Sequence, residues 1–331
     1  GASNTAVGNS ALYANTTASN NTAVGTSALA ANTTGATNTA VGTSALAANT
    51  TGIRNVAIGN NALDSNTTGQ LNVGLGFNAL HTNTTGANNT ALGDNALAQN
   101  TTGGNNVAIG YVSADANTTG DQNVSVGVGT LQVSTTASNN TAVGYQALNR
   151  NTTGTQNVAL GTYALDANTT ANQNTAIGYS SLTANTTGGT NTAVGYTSLA
   201  ANTDGASNTA VGWAALFANI GGDYNTALGR SALAGNTTGA NNTAVGKNAL
   251  AANTTGAANV AVGSLSLDAN TTGGSLTAIG YKALGSSLTD IDTVGIGTNA
   301  GQNATSSYST IVGSQANGSG AMTGDSNSYL G

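Results

Sequence analysis

Asn21-Thr22-Ala23-Val24-Gly25-Thr26-Ser27-Ala28-Leu29-Ala30-Ala31-Asn32-Thr33-Thr34-Gly35 is followed, two residues later, by the same fifteen residues at Asn38 to Gly52. The unit is 17 residues long, and its recurrence decides the fold. Its first glycine recurs at Gly8, Gly25, Gly42 and every seventeenth residue to Gly280, 17 copies with no insertion or deletion. Surface loops accept insertions at little thermodynamic cost. A chain that accepts none must stack each copy on the last in one register.

Working outward from the glycine, the residue before it is Val, Ile or Leu in all 17 copies, and the residue three before it is Thr or Val in all 17. Between them stands Ala in 15 copies, broken only by Gly74 and Ser125. This period-two alternation predicts a short strand with Val and Thr on one face and Ala on the other. Leu stands four residues after the glycine in 16 copies, Ala114 being the exception, and a small residue precedes it. That segment predicts a second short strand. Asn-Thr-Thr-Gly then turns the chain, with Gly expected at φ > 0 and Asn capping the turn.

Gly, Thr, Asn and Val are poor helix formers. Hairpins favour Asn-Gly or Asp-Gly at each turn, whereas the recurring turn here is Asn-Thr-Thr-Gly. What remains is an all-β parallel β-solenoid, a β-roll of 17-residue rungs that stacks like on like. One asparagine column runs four residues before each glycine, from Asn4 and Asn21 to Asn259, and a second runs through Asn15, Asn32 and Asn49. Stacked amides hydrogen-bond from rung to rung. At about 4.8 Å per rung, 17 rungs predict a rod on the order of 80 Å. Residues 1–284 form the regular array, and 285–331 form diverged repeats leading to a further distal part. In that tail rungs persist at Val294-Gly295-Ile296-Gly297, Thr310-Ile311-Val312-Gly313 and Ser328-Tyr329-Leu330-Gly331, with the spacing drifting to 17, 16 and 18. The chain starts at Gly1 and stops partway through the motif, which predicts a segment of a longer fibre.

Charged residues make up 5% of the 331, against roughly 25% in ordinary globular proteins. Low charge with abundant β-branched residues argues for a regular repetitive fold over disorder. Net charge is −6, and the five basic residues Arg54, Arg150, Arg230, Lys247 and Lys282 are scattered. That is no footprint for nucleic acid. No apolar run approaches the length that spans a bilayer, so no membrane insertion is expected. There is no cysteine, so disulfides do not hold the fold.

Little in the sequence promises chemistry. With His81 the lone histidine, no zinc site is expected within one chain. Asp64, Asp115, Asp166 and Asp268 share its column, but the nearest of them are three rungs apart, roughly 14 Å. Glycoside hydrolases hold their carboxylates about 5–5.5 or 6.5–9.5 Å apart. Asp290 and Asp292 read as a solvated turn. No catalytic residue, metal or cofactor is expected, and the protein is expected not to be an enzyme. Asn-Thr-Thr is a glycosylation sequon, read here as turn residues of a bacterial or viral protein. Ice binding is an alternative, disfavoured because adjacent threonines such as Thr33 and Thr34 point oppositely in extended backbone.

The column just after the glycine carries Phe77, Tyr111, Tyr145, Tyr179, Tyr196, Trp213 and Tyr281, and it also hosts Asp94, Arg230 and Lys247. It is therefore expected to face solvent. Tyr179, Tyr196 and Trp213 lie on consecutive rungs, and the irregular rung after Gly212 adds Phe217 and Tyr224. These five are candidate contacts for a host cell-surface glycan, since a ring offers an apolar face at little entropy cost. The competing reading is that stacked rings only stiffen the ladder.

One Val, one Leu and several alanines per rung make a thin core. A face of near-invariant alanine looks built for close approach by another backbone, so self-association along the whole length is expected. Asn55-Val56-Ala57-Ile58-Gly59 and Asn106-Val107-Ala108-Ile109-Gly110 resemble the head repeat of trimeric autotransporter adhesins, a left-handed parallel β-roll of three chains around an axis. The longer unit, with A-L-x-x-N-T-T-G between glycines, resembles repeats of bacteriophage tail-fibre and collar-like proteins. The resemblance covers residues 1–284 almost completely and 285–331 loosely. It implies a homotrimeric fibre shaft on a virion tail or another extracellular surface, with a bacterial trimeric adhesin head as the alternative.

Overall fold

The computed structural model describes residues 1–317 and 325–331; part of the diverged tail, 318–324, lies outside the described residues. It divides into two compact units, Gly1–Thr170 and Ala171–Gly331. Unit 1 holds ten three-residue strands, from β1 (Thr5–Val7) to β10 (Val158–Leu160), and unit 2 holds ten more, from β11 (Thr175–Ile177) to β20 (Ser328–Leu330). Among the described residues there is no helix, and so none long and apolar enough to cross a membrane.

Within each unit neighbouring strands pair in parallel, and like pairs with like. Thr22, Ala23 and Val24 lie opposite Thr39, Ala40 and Val41 in unit 1, as Thr192, Ala193 and Val194 lie opposite Thr209, Ala210 and Val211 in unit 2. The tail keeps the ladder as its period slips: Thr277 pairs with Val294, Val294 with Thr310 and Thr310 with Ser328.

The alternation expected of Thr-Ala-Val holds, and the structure fixes which face is which. Ala23, Ala40 and Ala142 are fully buried inside their own coil. Val41, Ile58 and Leu75 point outward and are exposed. The alanine face is therefore not the meeting place of two chains. It packs against the leucine column, where Leu29, Leu46 and Leu63 are also fully buried. Alanine is needed because a longer side chain would not fit between the strand and the leucines of the same coil.

The second strand expected around the leucine does not form; the segment is a turn. From the glycine onward every second residue is left-handed: Gly25, Ser27 and Leu29 have φ of 136°, 59° and 52°. Leucine in this region costs about 1–2 kcal/mol. Full burial of a leucine side chain is worth about 1.5–3 kcal/mol. The Leu29 amide also donates to the Ala45 carbonyl at 3.0 Å, so the conformation is bound to the next rung. At the leading glycine only glycine serves, since a Cβ on Gly25, besides its φ of 136°, would overlap the Gly42 carbonyl.

The glycine of Asn-Thr-Thr-Gly has a different task from the one expected. Gly35 is not at positive φ; a Cβ there would strike the Gly52 carbonyl and the Asn32 side chain. The space it leaves is filled by the asparagine ladders, which lie inside the coil. Asn49 Nδ2 donates to Asn32 Oδ1 at 2.8 Å and to the Gly52 carbonyl at 3.0 Å. From the other column, Asn38 Nδ2 reaches the same Gly52 carbonyl at 2.9 Å, and the Asn38 amide donates to Asn21 Oδ1 at 2.9 Å. Asn32, Asn38 and Asn49 are fully buried, so Asn32 and Asn49, the asparagines of two Asn-Thr-Thr turns, are sealed from solvent.

Departures from the repeat compensate one another. Where Ala114 replaces leucine, Ser113, Ser125 and Thr130 fill the space with hydroxyls 2.6 to 3.0 Å apart, each bonded to the other two.

Candidate functional surfaces

Two exposed surfaces stand out. The first is the outer face of the sheet. Its two columns, Thr or Val and then Val, Ile or Leu, contain no charged residue in 17 copies. Ile58, Leu160 and Leu228 are 39%, 46% and 48% exposed on it. Parallel sheets are ordinarily covered on both faces, and here only the inner face has its cover. Sequence reasoning placed the contact face on the alanines because alternation alone does not say which side of a strand is inward.

The second surface is the aromatic column of unit 2. Tyr179, Tyr196 and Trp213 stand at equivalent positions of consecutive rungs, so the ladder itself brings their rings together. Tyr179 and Tyr196 stack with centroids 5.3 Å apart and planes at 11°, and Tyr196 and Trp213 lie 6.5 Å apart at 6°. The Arg230 guanidinium, one rung further, sits 4.9 Å from the Trp213 ring centroid. Tyr196 is thus stacked between two rings and Trp213 between a ring and a cation. What stays open is a cleft of ≈ 390 Å³ beside them, lined by Tyr196, Thr197, Trp213, Ala214 and Phe217. Phe217 joins the group because its column adjoins the stack. Tyr224 does not line that cleft; it is a left-handed residue, φ 57°, in the turn before the next strand.

The aspartate column has its own electrostatics. Burial pushes the carboxyls of Asp64, Asp115, Asp166 and Asp268 above the ordinary aspartate value. His81 opposes this at Asp64 and Arg150 at Asp166; at Asp268 a hydrogen bond to its own backbone opposes it, and then the charge of Lys282. His81 is half-buried, and its Nδ1 is buried with no hydrogen-bond partner. Among the described residues no three His, Cys, Asp or Glu side chains gather as a metal site would require.

No protein-family model matches the chain, and a search of the curated proteins finds no significant similarity.

Proposed function

We propose that this chain is a structural fibre shaft that assembles as a homotrimer, without catalysis, in the tail fibre of a bacteriophage. The observation that carries the reading is the bare outer sheet face, uncharged and carrying a Val, Ile or Leu on every regular rung. A face of that kind invites cover. A partner that follows it rung for rung must itself repeat with the same rise, and another copy of this chain does. One outer column mixes Thr with Val and the other varies between Val, Ile and Leu, which suits packing against a partner better than matching a lattice such as ice. The number three rests on the resemblance to phage and adhesin repeats, and the virion tail on the longer repeat unit.

Lysines placed outward at Val143 and Val194 test the face. The double variant Val143→Lys/Val194→Lys should keep the coil's circular dichroism and lose its assembled mass, because unpaired charges would be buried between chains. Assembly unchanged by both lysines would overturn the proposed interface. Antibodies against the chain should decorate virion tails under the electron microscope; labelling of a bacterial envelope instead would favour the adhesin head.

A further inference from the structure

On five consecutive rungs of unit 2 the column after the glycine reads Tyr179, Tyr196, Trp213, Arg230 and Lys247, all exposed. Two of the chain's five basic residues thus lie directly beyond three successive stacked aromatics, on a chain of net charge −6. We propose that this strip is a binding track for an acidic polysaccharide, with one sugar ring seated in the cleft between Trp213 and Phe217 and its carboxylates paired with Arg230 and Lys247. The proposal rests on the fibre reading only for the strip's access to extracellular polysaccharide.

The cleft has suitable size and chemistry. Its ≈ 390 Å³ lies within the roughly 300–1,000 Å³ of small-ligand sites. Its walls are the aromatic side chains of Tyr196, Trp213 and Phe217, and Thr197 brings a hydroxyl. The apolar side-chain surface that these residues leave beside the stack suits the C–H groups of a pyranose, and hydroxyls at its rim need donors and acceptors. The Arg230 guanidinium, 4.9 Å from the Trp213 ring centroid, is a planar cationic donor next to the cleft wall and suits a carboxylate. Rungs rise about 4.8 Å, close to the advance of one residue along an extended polysaccharide, so successive sugars would meet successive rungs. An apolar peptide would leave Arg230 and Lys247 unused. Nucleic acid would ask for a longer run of positive charge than two residues.

Trp213 is the chain's single tryptophan, so its fluorescence reports on the cleft directly. The assembled protein is titrated with a guluronate hexasaccharide, with maltohexaose as a neutral sugar and with inorganic polyphosphate as charge without sugar. A saturable change in emission is expected with the guluronate alone. The Arg230→Ala/Lys247→Ala variant, whose circular dichroism should be unchanged, is expected to bind it about tenfold or more weakly. Tyr196→Ala is expected to weaken it too, by opening the wall of the cleft. An equal response to maltohexaose would remove the role of the two cations, and an equal response to polyphosphate would remove the sugar. No response to any probe would overturn the track outright. So would free protein whose tryptophan resists a soluble quencher, since a neighbouring chain would then cover the cleft. The mass of the assembly, measured on the same samples, tells each of these failures from a failure of the fibre reading.

Discussion

Replacing Asn66 by alanine removes one link of a buried ladder, and the cost can be worked bond by bond. Asn66 Nδ2 donates to Asn49 Oδ1 at 2.9 Å and to the Gly69 carbonyl at 3.0 Å, and Asn66 Oδ1 accepts from Asn83 Nδ2 at 2.8 Å. After the change the Gly69 carbonyl keeps Asn55 Nδ2, and Asn83 Nδ2 keeps the Gly86 carbonyl. Asn49 Oδ1 is left as a buried acceptor without a donor, which costs about 1–3 kcal/mol, and the lost bonds add to it. The expected destabilisation is about 2–4 kcal/mol, read as a lower midpoint of urea unfolding. Asn60→Ala, at an exposed position one column past the glycine, should stay within about 0.5 kcal/mol of the parent. The chain already contains the converse experiment. Ser134 interrupts the ladder, and both its Oγ and Asn117 Oδ1 are buried with no partner. Ser134→Asn, made with Ala137→Gly to restore the repeat's turn, should raise stability by about 1–2 kcal/mol. If Asn66→Ala proves no worse than Asn60→Ala, and the Ser134 repair gains nothing, the buried amide ladder does not contribute as argued.

Ala142→Leu should cost about 1–3 kcal/mol by overpacking the coil, while Thr26→Lys, in a variable exposed column, should change little; thermal unfolding of both checks this. Because burial raises the folded-state pKa values of Asp64, Asp115, Asp166 and Asp268, their protonated forms favour the fold. That stability is fully present below about pH 4, the unfolded value, and is lost as pH rises through the higher folded values. Melting temperature should therefore fall as pH rises across that window, and Asp115→Asn, where burial is the only cause, should flatten the slope; a melting temperature that climbs with pH would contradict it. Thr33 Oγ1 donates to the Thr50 carbonyl at 3.0 Å, which leaves one exposed threonine per turn, so no thermal hysteresis is expected at micromolar protein.

The period, the Thr-Ala-Val strand and both asparagine columns are legible in the sequence because a stacked coil repeats its chemistry where it repeats its geometry. Three things are not. Nothing local announces that Leu29 or Leu46 will be left-handed, because leucine avoids that region unless burial and a rung-to-rung bond outweigh the strain. Alternation shows that Ala and Val oppose one another but not which is inside; the inward-pointing leucines settle it only once the chain is folded. The turn glycine signals positive φ by habit, whereas at Gly35 the requirement is space beside Asn32 and beneath Gly52. At the candidate site, a shared column foretells that Tyr179, Tyr196 and Trp213 meet. It does not foretell that their faces are spent on each other, that Arg230 caps the stack, or that Phe217 completes the cleft while Tyr224 does not.

Self-association through the outer sheet face is best tested by the mass of the native particle. One chain is 31.7 kDa, so multi-angle light scattering coupled to gel filtration should return about three times that, on the order of 95 kDa, and hold it on dilution. A folded particle of 31.7 kDa, retaining its circular dichroism at the highest dilution measured, would contradict it.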